Sequence, residues 1–301
     1  MKKWVDSSNL KIQTPLREVV KGVLMKFECD NPGGSHKVRA ARYLIEKAVR
    51  DGRIVPGETV VVEKTGGNFG FGLAVVCHEL HVQVELAVGL GFSAVKRRCL
   101  EMFGARLIGI DMLSRGATPK EVVAWRLDQA SRSGQSCFFT DQFSNLASLH
   151  AHEFETGAEL IEQLRQWPRL KQVIFVGCAG TGASFTGITR ALRSQYEVTC
   201  ILVEPEGCDS AQGIFAEHPF EGMAVGVAPP FLEWELIQAR YAVSPQMAME
   251  TKRRFCQSHG YLIGNTTAAC LTVAMQLAQR LTDEQKVVLL FYDHGLWYTQ
   301  S

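Results

Sequence analysis

No apolar run in this chain exceeds the length of a strand. Runs such as Val287-Val288-Leu289-Leu290-Phe291 fall far short of the roughly 20 residues that a membrane-spanning helix needs. No apolar block follows Lys2 and Lys3, so no secretory leader is expected. An excess of one charge is also missing. The 32 Lys and Arg against 31 Asp and Glu leave a net +1, which gives no reason to expect nucleic acid or an anionic membrane as partner. Polybasic blocks, acidic tails and low-complexity stretches are absent. The nine cysteines include no Cys-x-x-Cys pair and their number is odd. Reduced thiols, a cytoplasmic location and no metal site are therefore expected. Cys178, although it lies in a glycine loop, reads as a small residue that fits.

What is present is a globular composition. With 46% hydrophobic and 21% charged residues, a chain of 301 residues can build one large domain or two ordinary ones. Apolar β-branched runs alternate with amphipathic stretches. Strands are predicted over Thr59–Glu63, Val82–Val88, Ala105–Ile110, Gln172–Val176 and Val198–Val203. Helices are predicted over Gly70–Leu80, Ala94–Phe103, Pro119–Arg132, Phe185–Leu192 and Cys270–Leu281. Strands that are apolar throughout and separated by helices predict parallel sheets covered by helices, an α/β fold. Ser133-Gly134-Gln135 and the stretch from Asp141 to Asn145 interrupt the pattern, so a domain cut near residue 140 is plausible.

Ligands in such folds gather at the carboxyl ends of strands, and four segments invite attention. Asn31-Pro32-Gly33-Gly34-Ser35-His36-Lys37 breaks the chain and opens a helix that stops near Gly52, with Ser35 as the expected N-cap. Lys37 then sits in the first turn, where the helix dipole disfavours a cation and eases loss of its proton. A neutral amine is what Schiff-base chemistry requires; the plainer reading is a solvated lysine. Lys64-Thr65-Gly66-Gly67-Asn68-Phe69-Gly70 follows a strand and offers amide and hydroxyl donors suited to a carboxylate or a phenolic oxygen; alone it is also an ordinary strand-to-helix turn. Gly177-Cys178-Ala179-Gly180-Thr181-Gly182-Ala183-Ser184 reads as a phosphate cradle. It has no P-loop lysine and no acidic residue placed for a ribose, so a phosphate monoester suits it better than a dinucleotide. Gly264-Asn265-Thr266-Thr267-Ala268-Ala269 precedes a long helix and on its own reads as a cap. Taken together, the lysine, the amide loop, the phosphate cradle and the hydroxyl loop describe the contacts of pyridoxal 5′-phosphate.

In these ordered motifs the chain resembles the cysteine synthase and cystathionine β-synthase branch of the fold type II pyridoxal-phosphate enzymes, from Thr14-Pro15-Leu16 to Tyr298. The resemblance implies a tryptophan synthase β-like fold with parallel-rich twisted sheets in two α/β domains. Residues 1–39 and 142–301 would form a large cofactor-binding domain, and 40–141 a small mobile substrate-binding domain; a homodimer is usual. It implies Lys37 as the catalytic Schiff-base lysine. The cofactor would be bound by Lys37, Asn68, Gly180, Thr181, Gly182, Ala183, Ser184 and Thr266, the last against the pyridine nitrogen. The substrate would be bound by Thr65, Gly66, Gly67, Asn68, Phe69 and Gln142, with the glutamine of Gln142-Phe143 reaching the carboxylate. Asp293-His294-Gly295-Leu296-Trp297-Tyr298 resembles the closing motif of the family.

The implied activity is β-replacement on an activated serine or cysteine-like amino acid, through an aminoacrylate that a small nucleophile attacks. Lys37, freed by the incoming amino acid, would act as general base at Cα. Two alternatives share these residues: a β-eliminating lyase or serine/threonine dehydratase, and a cofactor-binding but inactive partner protein. The chain also departs from the family. Gly66 stands where serine is common, Phe69 where threonine is common, Val38 where aspartate follows the lysine, and Lys64 where proline is usual. His36 resembles the residue that precedes the lysine in tryptophan synthase β chains, and reads as a phosphate contact or a helix cap. Lys64 reads as an anion-recruiting or a solvated lysine. These departures leave the leaving group and the nucleophile open.

Overall fold

The computed structural model describes residue 10 and residues 12–298. The described chain runs through β1 (Leu16–Val20), β2 (Val23–Lys26), α1 (Lys37–Arg50), β3 (Val60–Lys64), α2 (Asn68–Glu79), β4 (Gln83–Ala87), α3 (Ala94–Met102), β5 (Arg106–Leu107), α4 (Ile110–Ser114), α5 (Pro119–Ser133) and β6 (Cys137–Phe139). It continues through α6 (Ala147–Ala151), a π-helical segment His152–Gly157, α7 (Ala158–Leu164), β7 (Gln172–Gly177), α8 (Ala183–Arg193), β8 (Glu197–Pro205), β9 (Ile237–Val243), α9 (Pro245–His259), α10 (Asn265–Ala278) and β10 (Gln285–Leu290). No helix among the described residues is long and apolar enough to cross a membrane.

The chain divides into two compact units. Of the described residues, the first comprises 37–147 with residues 10 and 12. Its four-stranded sheet has the order β5-β4-β3-β6, and every described pairing is parallel. Val60, Val61 and Val62 are buried with Ala87, Ile108 and Val122, as expected for strands covered by helices. Each of the valines and the isoleucine contributes roughly 1.5–3 kcal/mol on burial.

The second unit comprises Gln13–His36 and Ser148–Ser301. Its six-stranded sheet has the order β1-β2-β10-β7-β8-β9, with only β1–β2 antiparallel among the described pairings. α8 packs on β7 and β8. α10, whose first ten residues are all buried, packs on β10 and β7. The parallel-rich α/β architecture predicted from the apolar periodicity is the one observed.

Several local expectations are corrected. The strand predicted over Ala105–Ile110 shrinks to Arg106–Leu107, because Gly109 takes a left-handed φ of +68° and turns the chain into α4. The helix begins at Lys37, one residue later than a cap at Ser35 would start it, and Ser35 lies in extended backbone bridged to Asp293. The Gly264–Ala269 segment does not precede its helix. α10 starts at Asn265, and what comes before it is α9 and Gly260 rather than a strand.

Candidate active site

In the first unit, the lysine segment and the amide loop meet through their helices. Lys37 is the first residue of α1, and Asn68 is the first residue of α2. The two helices pack together, and glycine makes the approach close. A Cβ on Gly72 would stand 2.9 Å from the Val38 Cα and 3.1 Å from the Lys37 carbonyl carbon. Gly72 lies one turn beyond Asn68 and shares its face of α2. The segment Thr65-Gly66-Gly67 connects β3 to α2 at the carboxyl end of the strand, as the sequence suggested.

Gly66 is held from the side by residues that the motif does not include. A Cβ there would lie 2.6 Å from Val88 and 2.8 Å from Phe92. Serine, common at this position in the resembling family, is therefore excluded by this chain's own packing. Gly66→Ser is expected to cost about 1–3 kcal/mol of stability through overpacking. Thermal melting checks this, and Phe92→Ala in the same chain should recover only the part due to the ring, because the Val88 contact at 2.6 Å remains. Phe69 is buried, 2% exposed, in the first turn of α2.

The Lys64 side chain is 30% exposed, between the two readings. Its ammonium lies 4.0 Å from Glu63 Oε1, 5.2 Å from the centre of the Phe139 ring and 5.9 Å from that of Phe143. Glu63 itself is wholly buried on β3. Its Oε2 accepts the amide of Gln142 at 3.3 Å and the hydroxyl of Thr140. Burial pushes its carboxyl above the ordinary carboxylate range, against the opposing hydrogen bonds from Thr140 and Lys64. Gln142 and Lys64, which leads into the asparagine loop, thus share one buried carboxyl group, a link that neither spacing nor periodicity announces.

In the second unit, the Gly177–Ser184 loop joins β7 to α8. Gly182 is the N-cap, with a left-handed φ of +84°. A Cβ on it would stand 2.5 Å from the Leu232 amide nitrogen, and one on Gly180 would stand 2.5 Å from the Gly222 carbonyl oxygen. Thr181 is clamped on both sides. Its carbonyl accepts the Phe231 amide at 2.9 Å, and its hydroxyl accepts the Ala183 amide at 3.3 Å. Ala183 and Ser184 open the helix, and its first turn carries no acidic residue. A small-residue N-terminus on an 11-residue helix, free of acidic side chains, suits a phosphate monoester. The residues present therefore fit the tail of pyridoxal phosphate.

Thr266 is the second residue of α10, and its hydroxyl donates to the Glu221 carbonyl at 2.9 Å. Its neighbours fix the same turn. Asn265 donates to the Pro219 carbonyl at 3.2 Å and accepts from the Lys252 ammonium at 2.8 Å, while the Thr267 hydroxyl accepts the Tyr292 amide at 2.9 Å. The phenol of Tyr292 in turn accepts the Cys178 amide at 3.4 Å. Tyr292 thus ties the Gly177–Ser184 loop to α10, a role that no sequence signal announces. Desolvation holds its hydroxyl well above the ordinary tyrosine range, so it stays protonated. The His36 ring lies 5.7 Å from the His152 ring and 5.1 Å from that of Tyr292.

Asp293 and His294 bridge to Ser35 and Ile263, and Tyr298 donates to Asp293. Cys29, Asp30 and His294 bring one ligand atom each within 4.8 Å of one another. Burial, with the neighbouring Asp30 carboxylate, pushes the Cys29 thiol up.

Comparison with known proteins fits this arrangement. A family model described as pyridoxal-phosphate dependent enzyme matches residues 8–293. A cysteine synthase of Staphylococcus aureus is 31% identical over 297 residues, covering 97% of this chain and 92% of that protein. A solved O-ureido-L-serine synthase superposes with a TM-score of 0.82 at 26% identity, over 96% of this chain and 91% of that one. An O-acetylserine-dependent cystathionine β-synthase from Helicobacter pylori gives 0.81 at 26% identity, over 96% and 94%. The chain belongs to the family of pyridoxal-phosphate dependent enzymes, in its cysteine synthase group.

Proposed function

We propose that the protein replaces the β-substituent of an activated serine with a small nucleophile. The observation that carries this reading is the close packing of α1 on α2, which sets the start of the Lys37 helix against the helix that Asn68 opens. Pyridoxal phosphate, when bound, supplies an aldehyde for amines and an aromatic system that accepts the electron pair left at Cα. In this reading Lys37 holds the aldehyde carbon, Asn68 the phenolic oxygen, and Gly180-Thr181-Gly182-Ala183-Ser184 the phosphate. Thr266 faces the ring nitrogen with an uncharged hydroxyl. Thr65, Gly66, Gly67, Asn68 and Gln142 bind the substrate carboxylate, and Phe69 bounds that loop.

The Lys37 amine takes the proton from Cα. The leaving group departs from Cβ with its bonding pair, the nucleophile bonds to Cβ, and Lys37 returns the proton. Cysteine synthase, O-ureidoserine synthase and the O-acetylserine-dependent relative all bear names consistent with this chemistry. By the same resemblance, residues 40–141 are proposed as the mobile substrate-binding part, and the protein as a cytoplasmic homodimer.

A screen of activated serines and small nucleophiles against the purified, cofactor-loaded protein tests the reading. The expected result is a product whose mass carries the added nucleophile. Accumulation of 2-oxo acid and ammonia without incorporation would instead assign a β-eliminating lyase. No product from any donor would leave the inactive-partner alternative.

A further inference from the structure

We propose that Glu63 is a positioning residue for substrate binding, holding the Thr65–Asn68 loop and Gln142 in one arrangement. The proposal rests on the reading of those two segments as carboxylate contacts. One Glu63 oxygen meets the residue just before the first segment, and the other meets the second segment. Oε1 accepts the amide of Lys64, the residue that leads into the loop, at 2.8 Å. Oε2 accepts the Gln142 amide at 3.3 Å and the Thr140 hydroxyl.

Between Thr140 and Gln142 the backbone is strained. Asp141 takes a φ of +46°, the left-handed region that non-glycine residues seldom adopt. The turn it makes is closed locally: its carbonyl accepts the amides of Ser144 and Asn145, each at 3.0 Å, and Asn145 donates to the Thr140 carbonyl at 3.2 Å. The β3–β6 register covers Val60–Val62, and the Thr140 amide still reaches the Val62 carbonyl at 3.3 Å. Where that pairing ends, Glu63 takes over and fixes the residues on both sides of Asp141.

Burying a carboxylate in a valine strand is costly. A carboxylate is an acceptor-only group, which suits three donors arriving from two directions. Glutamine at the same place would turn an N–H toward one of them. The departure at Lys64 strengthens the device. Proline, usual there in the resembling family, has no N–H to give, whereas Lys64 offers Glu63 both its amide and its ammonium.

The test compares Glu63→Gln, Gln142→Ala and Glu63→Gln with Asp141→Gly, all as cofactor-loaded protein. The readouts are the affinity for the unreactive amino acid L-alanine, hydrogen exchange across residues 140–145, and the melting temperature. Glu63→Gln is expected to weaken L-alanine about tenfold and to speed exchange, with melting within about 2 °C of the parent. Asp141→Gly should recover at least half of the lost affinity, because glycine needs no brace at that φ. If Gln142→Ala weakens L-alanine while Glu63→Gln stays within twofold of the parent, the positioning role is wrong and the site reading survives. If Gln142→Ala changes nothing, both fall. Should Glu63→Gln not fold, Thr140→Val removes one donor, with about threefold weakening expected and no change overturning the proposal.

Discussion

Lys37→Ala is expected to lower kcat by about 10³-fold or more while the protein still folds and holds cofactor. Removing a general base alone typically costs 10²–10⁴ in rate, equivalent to roughly 3–5 kcal/mol of transition-state stabilisation, and Lys37 would also lose its part in holding the aldehyde. Folding should survive because alanine favours a helix more than lysine does, and the Gly72 approach meets only the backbone of Lys37 and Val38. Lys64 is a poor substitute base, since its ammonium already faces Glu63 at 4.0 Å. Steady-state kinetics and visible absorbance of the purified variant check the expectation. Borohydride reduction of the parent, followed by peptide mapping, should label Lys37. Turnover within tenfold of the parent, or a label on another residue, would remove Lys37 from its role.

Gly182→Ala is the second large effect: cofactor affinity should fall at least about 100-fold. Two penalties coincide. A left-handed conformation costs an L-residue roughly 1–2 kcal/mol, and the new Cβ would meet the Leu232 amide nitrogen at 2.5 Å and its Cα at 2.8 Å. Those are backbone atoms and cannot rotate away. The loop has to shift, and with it the donors at the start of α8. Gly222→Ala is the control, because its φ is also positive, +92°, but nothing lies within 4 Å of its Cβ. Equilibrium cofactor titration of the two variants separates clash from strain. Similar affinities would mean that the cradle tolerates displacement.

Much of the fold was legible because parallel strands buried on both faces are apolar throughout. β3, β7, β8 and β10 fall within two residues of the runs Thr59–Glu63, Gln172–Val176, Val198–Val203 and Val287–Phe291. Elements that lack that signature went unread. β9 alternates between half-buried and exposed residues, and β6 has three residues. α9 has end signals in the sequence, Ser244 before it, Pro245 at its first position and Gly260 after its last, and in the fold Ser244 accepts the Met247 amide at 3.2 Å. The candidate site was legible only as motifs. Glu63 reads in sequence as the polar end of a strand, Phe92 as a loop residue, and Tyr292 as part of a closing motif. Their importance is tertiary: one carboxyl bonded to a residue 79 positions away, one ring against a glycine, one phenol joining a loop to a helix.

Side-chain-free contact also governs the opposite flank of the α8 helix. A Cβ on Gly187 would come 2.7 Å from the Leu149 carbonyl oxygen and 2.8 Å from the Glu153 amide, where the π-helical segment crosses. Main chain lies on main chain there, leaving no slack for the helix to roll. The aim of the proposed phosphate loop at its tip is consequently an inheritance of that crossing. A protein engineer who grafted the loop alone would carry over its letters without its aim, and would need to transplant both crossing segments together.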